Sequence, residues 1–322
     1  MFSWNPVTDV TQMLSYQFMR DAFVAGAVVA VVAGVVGYFV ILRRTAFAAH
    51  ALSHIGFAGA SGSVLLGLMP IVGLLAFCLT AGAAIGTLGR RLRDRDVVIG
   101  NVLAFSLGLG ALFLALYKGG NAGLATSILF GQILAVSSSQ VGLTLVIGVV
   151  TLALIGVMYR PLLFASIDED AARARRVPVQ ALSIAFMMTL ALTVAVSVQV
   201  VGVLLIFALV VTPAAIAERV GRSPGHAIAV SVVVALASTW IGLTIAYYLS
   251  FYFQCPVSFC IVSLSFGGYV GVRVGQWRGA SGRRDSNPRP PGPKPGALPP
   301  APRPVPAGTT SLCHGGRTAG TL

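Results

Sequence analysis

Nine apolar runs, each close to the length a helix needs to cross a bilayer, occupy most of this chain. They fall at 22–42, 52–69, 71–89, 97–117, 140–158, 180–199, 200–217, 227–250 and 256–272. A hydrocarbon core takes roughly 20 helical residues to span. Inside it, only helices and closed barrels satisfy every backbone polar group. Runs this long, without strand-like alternation, predict an all-α, polytopic transmembrane bundle of eight or nine spans. Residues 123–137 are apolar but short, and read as an outer helix or a partial span.

The charge balance agrees with a lipid solvent. Charged residues make up 10% of the chain, and mean hydropathy is +0.87. A soluble domain carries roughly 25% charged residues. The net charge of +13 does not indicate a nucleic-acid partner, because the arginines lie between apolar runs or in the tail rather than along one basic face. The first run is too long for the apolar core of a cleaved signal, so it reads as a retained span. Residues 10–20 before it could lie as an interfacial helix.

Alternation of nine spans places Arg43, Arg44, Arg90, Arg91, Arg93, Arg95, Arg160, Arg173, Arg175, Arg176, Arg219 and Arg222 on one side. The other side receives Arg20 and Lys118. The positive-inside rule then sets the N-terminus outside and the C-terminus in the cytoplasm. Three regions follow: an N-terminal outer segment (1–20), a transmembrane domain (21–275, with a cytoplasmic loop at about 160–178) and a Pro/Arg-rich tail (276–322). The tail has the composition of a disordered segment. Its Arg283-Arg284-Asp285-Ser286-Asn287-Pro288 reads like the translated T-arm of a tRNA gene, which gives the tail no role in the membrane. Cys255 and Cys260 flank a predicted outer loop and read as unpaired thiols, with a disulfide in an oxidising compartment as the alternative.

What the chain lacks narrows its chemistry. No Gly-x-x-x-x-Gly-Lys-Ser/Thr segment is present, so any ATP-driven work is done by another chain and this one is not itself an enzyme. None of its nine acidic residues lies deep in a predicted span, whereas ion-coupled carriers usually bury a carboxylate at membrane depth. A secondary metal or small-solute carrier therefore stands as the alternative reading. Gly59-Ala60-Ser61-Gly62 matches the Gly-x-Ser-Gly of rhomboid-type proteases, but four small residues in a Gly/Ala-rich span are a weak motif, and a nucleophilic serine needs a base within reach.

Two polar stretches carry more. In His50-Ala51-Leu52-Ser53-His54 the i, i+4 spacing puts both imidazoles on one helix face. Neutral imidazole suits zinc and other borderline metals. Two ligands fall short of a structural zinc site, which takes four, but an incomplete, labile site suits a conduction path. The same spacing also fits two histidines that merely cap a helix end. In Asp168-Glu169-Asp170-Ala171-Ala172-Arg173-Ala174-Arg175-Arg176, acids precede bases, the order a helix dipole favours. It reads as a short exposed helix, either an ordinary solvated loop or a docking element.

Four segments, in order, resemble the zinc/manganese/iron-type permease family of ABC transporters over about residues 20–275. Leu42-Arg43-Arg44 with Ala49-His50-Ala51-Leu52-Ser53-His54 resembles the family's Leu-Arg-Arg and Gly-Asp-Ala-Leu-Ser-His. Leu129-Phe130-Gly131-Gln132-Ile133-Leu134 resembles its Leu-Phe-Gly-Asn-Ile-Leu, and Asp168–Val177 its Asp-Pro-Glu-x-Ala-Arg-Ala-Leu-Gly-Val. The fourth is Gln199-Val200-Val201-Gly202-Val203-Leu204-Leu205 followed by Thr212-Pro213-Ala214-Ala215. The resemblance implies a homodimeric permease in the bacterial cell membrane, two cytosolic ATPase subunits and an external metal-binding protein. It implies no tightly bound cofactor, only a transported Zn2+ or Mn2+. Carried over, His50 and His54 line the metal route, while Asp168, Asp170, Arg173 and Val177 belong to the helix that couples to the ATPase. Gly131, Gln199, Gly202 and Pro213 fall on structural positions of the motifs.

Two departures from the family pattern bear on function. His50 stands where the family has Asp, which shifts preference from manganese toward zinc. Arg175-Arg176 replaces Leu-Gly, and loss of the glycine implies an altered turn after the coupling helix.

Overall fold

The computed structural model describes residues 15–88, 92–117, 123, 128–129, 131, 133–250 and 256–284. Most of the N-terminal outer segment, Arg90, Arg91, Lys118, Phe130, Gln132, Cys255 and the tail from Asp285 lie outside the described residues. Residues up to Gln276 form one compact unit. The second unit, Trp277–Leu322, is helical over its described residues.

The described residues form ten helices and one 3-10 turn: α1 (Gln17–Leu42), α2 (Ala46–Leu65), α3 (Pro70–Leu88), α4 (Leu92–Leu116), the turn Ile133–Ala135, α5 (Ser138–Ile167), the short α6 (Glu169–Ala174), α7 (Val179–Val201), α8 (Val203–Val220), α9 (Pro224–Leu249) and α10 (Val257–Arg284). Eight of them are long and apolar enough to cross a membrane. The remaining long helix, α2, has 20 residues but is diluted by histidine, serine and glycine. Nine runs in the sequence thus correspond to nine long helices, and the one without a membrane-grade apolar stretch carries the histidine pair. Residues 17–20, expected in an interfacial helix, are instead the first turn of α1.

Burial sorts the helices. The hydrophobic windows of α1 and α7 are about two-thirds or more buried, whereas those of α4, α5 and α10 are mostly open. Leu145, Val146, Val149 and Val157 of α5 are exposed, as an outer helix facing lipid requires. With lipid as solvent, interior contacts depend on close approach of small residues rather than on expulsion of water. At Gly37 an added Cβ would strike the Val210 carbonyl of α8, and at Gly34 it would meet the Val232 backbone of α9. The Ser231 hydroxyl then donates to the Gly34 carbonyl (2.8 Å). Gly59 of α2 and Gly73 of α3 face one another with each backbone against the other.

Contacts identify the two ends of the bundle. At one end the Ser138 hydroxyl donates to Asp21 (2.8 Å), tying the start of α1 to the start of α5. At the other, Arg43 donates to Ser166 of α5 (3.3 Å) and to Ser183 of α7 (2.5 Å). The Arg43 guanidinium also lies over the Phe186 ring at 5.4 Å. Arg219, at the end of α8, lies over Tyr269 of α10. The described arginines of the loops therefore gather at the end formed by the last turns of α1, α5 and α8.

Candidate functional site

Helix α2 follows α1 directly. The last turn of α1 closes with the Thr45 N–H donating to Val40 and the Arg44 N–H to Ile41 (2.8 and 3.0 Å). Arg44 therefore sits at φ +55°, in the left-handed region. This turn sends α2 back into the bundle, where it packs on α3, α4, α7 and α8. Ala48, Ala49, Ala51, Leu52 and Ser53 are buried around the histidines.

His50 and His54 stand one turn apart, as the spacing predicts. Their ring centroids are 4.7 Å apart at 80°, edge to face. On its other side the His50 ring meets Phe207 of α8 at 4.9 Å and 66°. Both histidines are half-buried. His50 Nδ1 is buried with no hydrogen-bond partner among the described residues. Buried polar atoms are normally paired, so this nitrogen is left unused by the described residues. The Ser53 hydroxyl is already committed to the His50 carbonyl (2.7 Å). No group of three His, Cys, Asp or Glu side chains that could hold a metal occurs among the described residues. Two imidazoles alone fall short of the four ligands of a closed structural metal site. Phe207 was not legible as a site residue in the sequence, since nothing local marks it.

Phe207 lies in the first half of α8, which starts at a break in one long apolar stretch. Gly202 separates α7 from α8 at φ +86° and ψ 164°, a conformation open to glycine alone. Gly131, at φ +74°, packs on this break: an added Cβ would overlap the Val201–Gly202 peptide. Gln199 is half-buried in the last turn of α7, and Pro213 is buried inside α8, where its missing N–H leaves the Leu209 carbonyl without its helical donor. The structure brings Gly131 and Gly202 together and leaves Gln199 and Pro213 on separate helices.

The segment read as a coupling element forms a real but short helix. Asp168 caps α6 by accepting from the Ala171 N–H (2.9 Å). Glu169 and Asp170 occupy its first turn, and Arg173 pairs with Glu169 at 2.5 Å. The fully buried Ala172 seats it against α5 and α7, leaving Asp168, Asp170 and Arg173 exposed. The turn after this helix, expected to be altered by the loss of glycine, keeps its glycine-type form. The Arg176 N–H donates to Arg173 (2.9 Å) and the Val177 N–H to Ala172 (3.0 Å), the paired bonds of a glycine-type C-cap. Arg176 adopts φ +59° to make them. The turn persists with arginine in glycine's place, because capping two carbonyls outweighs a left-handed strain of about 1 kcal/mol.

Ser61 of the Gly-x-Ser-Gly motif is buried and donates to the Ala58 carbonyl (3.0 Å), so its hydroxyl is spent on its own helix.

Among the described residues, nine long helices, eight of them apolar enough to cross a membrane, define a multi-pass membrane protein, with a half-buried histidine pair and an exposed capped helix at one end. The chain belongs to the ABC 3 transport family, whose profile matches residues 15–272, the permease family of metal ABC transporters that its motifs resemble. It is 30% identical over 236 residues to the manganese transport system membrane protein MntC of Listeria monocytogenes, covering 73% of this chain and 84% of that one. It is 31% identical over 251 residues to the manganese import system permease protein ScaB of Streptococcus parasanguinis, covering 78% and 88%. Among solved structures, PsaBC from Streptococcus pneumoniae in complex with Fab aligns with a TM-score of 0.72 at 30% identity, covering 82% of this chain and 93% of that chain.

Proposed function

We propose that this chain is the membrane subunit of an ATP-driven bacterial importer of divalent metal ions, with zinc favoured over manganese. The observation that carries it is the His50–His54 pair, held edge to face beside Phe207, with a buried Nδ1 that has no partner among the described residues, on the long helix that lacks a membrane-grade apolar stretch. An external binding protein delivers the ion to the outer mouth. The two imidazoles hold it briefly, water filling the remaining positions. Release requires such weak binding. A cytosolic ATPase dimer engages α6 through Asp168, Asp170, Arg173 and the turn at Val177, and its closure alternates access across a homodimer of this chain. The arginine-bearing end faces the cytoplasm of the cell, which sets the N-terminus outside.

The relatives are named for manganese, which a carboxylate suits better. His50 supplies imidazole instead, and this supports zinc. The test is uptake of radioactive zinc and manganese in cells expressing the chain with a candidate ATPase and binding protein. ATP-dependent zinc uptake supports the reading; uptake driven by an ion gradient without the ATPase sinks it.

A further inference from the structure

A cavity of about 1100 Å3 opens at the arginine-bearing end, between the last turns of α1, α3 and α5, the short α6 and the first turns of α7. Arg43, Arg44 and Arg173 line it, together with the hydroxyl-bearing Ser166 and Ser183. One carboxylate, Glu169, faces it, and that group is paired with Arg173. Three guanidinium groups against one carboxylate leave the cavity formally positive.

We infer that this cavity holds the phosphate group of an anionic phospholipid. Depth supplies the first argument. The lining residues lie at the ends of membrane-length helices or in the turns and short helix that adjoin them, so the cavity sits at the end of the bundle, near the level of lipid headgroups, whichever face that is. Chemistry supplies the second. Guanidinium forks match phosphate oxygens in bidentate pairs, and basic pockets between spans bind anionic headgroups. Arg43 is already aimed, fixed by Ser166, Ser183 and the Phe186 ring. Arg44 supplies the third. Its backbone is held at φ +55°, where glycine would be easier, yet the position carries a guanidinium that makes no hydrogen bond or ion pair among the described residues. The volume is ample for a headgroup with the upper part of its acyl chains. The inference requires only that the chain spans a membrane, and it stands apart from the choice of metal.

The full chain is reconstituted in nanodiscs of phosphatidylcholine alone or of equal parts phosphatidylcholine and phosphatidylglycerol. Retained phosphatidylglycerol is then read by native mass spectrometry, and the thermal midpoint is recorded in parallel. Arg44→Gly is the informative variant, since glycine accepts the left-handed turn and only the guanidinium is lost. Phosphatidylglycerol should raise the midpoint of the unsubstituted protein. Arg44→Gly should lose that rise and lower lipid retention by about tenfold, and Arg44→Lys should restore part of both. Arg222→Gln, at the same end but outside the cavity, should behave as the unsubstituted protein. Equal retention by Arg44→Gly, or equal loss in Arg222→Gln, overturns the site. An equal rise with inorganic phosphate in phosphatidylcholine discs assigns the cavity to free phosphate and overturns the lipid. Should Arg44→Gly weaken only association with the ATPase, the cavity accepts an acidic protein side chain and the inference fails.

Discussion

Gly131 and Gly202 meet backbone to backbone, the α-carbon of the first lying against the peptide that ends α7 at the second. Both residues hold positive φ, at +74° and +86°. Gly131 therefore depends on glycine twice, for its conformation and for the space a Cβ would take, and Gly202 depends on it for its conformation. Gly131→Ala is expected to cost roughly 3 kcal/mol from overpacking plus left-handed strain. Denaturant unfolding of the purified protein measures this, and a cost under about 1 kcal/mol contradicts the packing.

Arg176 occupies a glycine position by force of the cap it completes. Arg176→Gly should stabilise the turn by about 1 kcal/mol, whereas Arg176→Ala should gain nothing, since alanine bears the same left-handed penalty. Hydrogen exchange of the Arg176 and Val177 amides, which donate to Arg173 and Ala172, reads the effect locally. Slower exchange in the glycine variant alone is the expected pattern.

Much of this was legible in the residues. Nine apolar runs foretell nine long helices because lipid leaves the backbone little choice. The ends were less legible, for physical reasons. The run read as starting at 52 begins as a helix at Ala46, since half-buried His50 dilutes hydropathy without breaking helix. The run read as ending at 158 continues to Ile167 through Arg160 and Pro161. Arg160 is exposed there, where a long side chain can reach the headgroups. The His50–His54 pair follows from spacing, but Phe207 does not: it reaches His50 only because the chain turns at Gly202. The left-handed turn at Arg176 is not legible either, because residue propensity does not report the two carbonyls awaiting a cap.

His50 is the residue on which metal preference turns. His50→Asp restores a hard oxygen ligand and should lower the zinc-to-manganese uptake ratio by about tenfold. Competition uptake with both ions at equal expression tests it; an unchanged ratio removes His50 from selectivity.

The tail carries no membrane-forming pattern. Deleting residues 280–322 should leave uptake and membrane expression as they are. Lost uptake at normal expression assigns the tail a role in transport.

The account rests on the histidine pair, and one experiment reaches it directly. Radioactive zinc uptake is compared among the unsubstituted chain, His50→Ala and His54→Ala, each with the ATPase and binding protein at equal membrane abundance. Loss of about tenfold or more in both variants is the predicted result. Normal uptake in both contradicts the site and moves the ion's path elsewhere in the bundle.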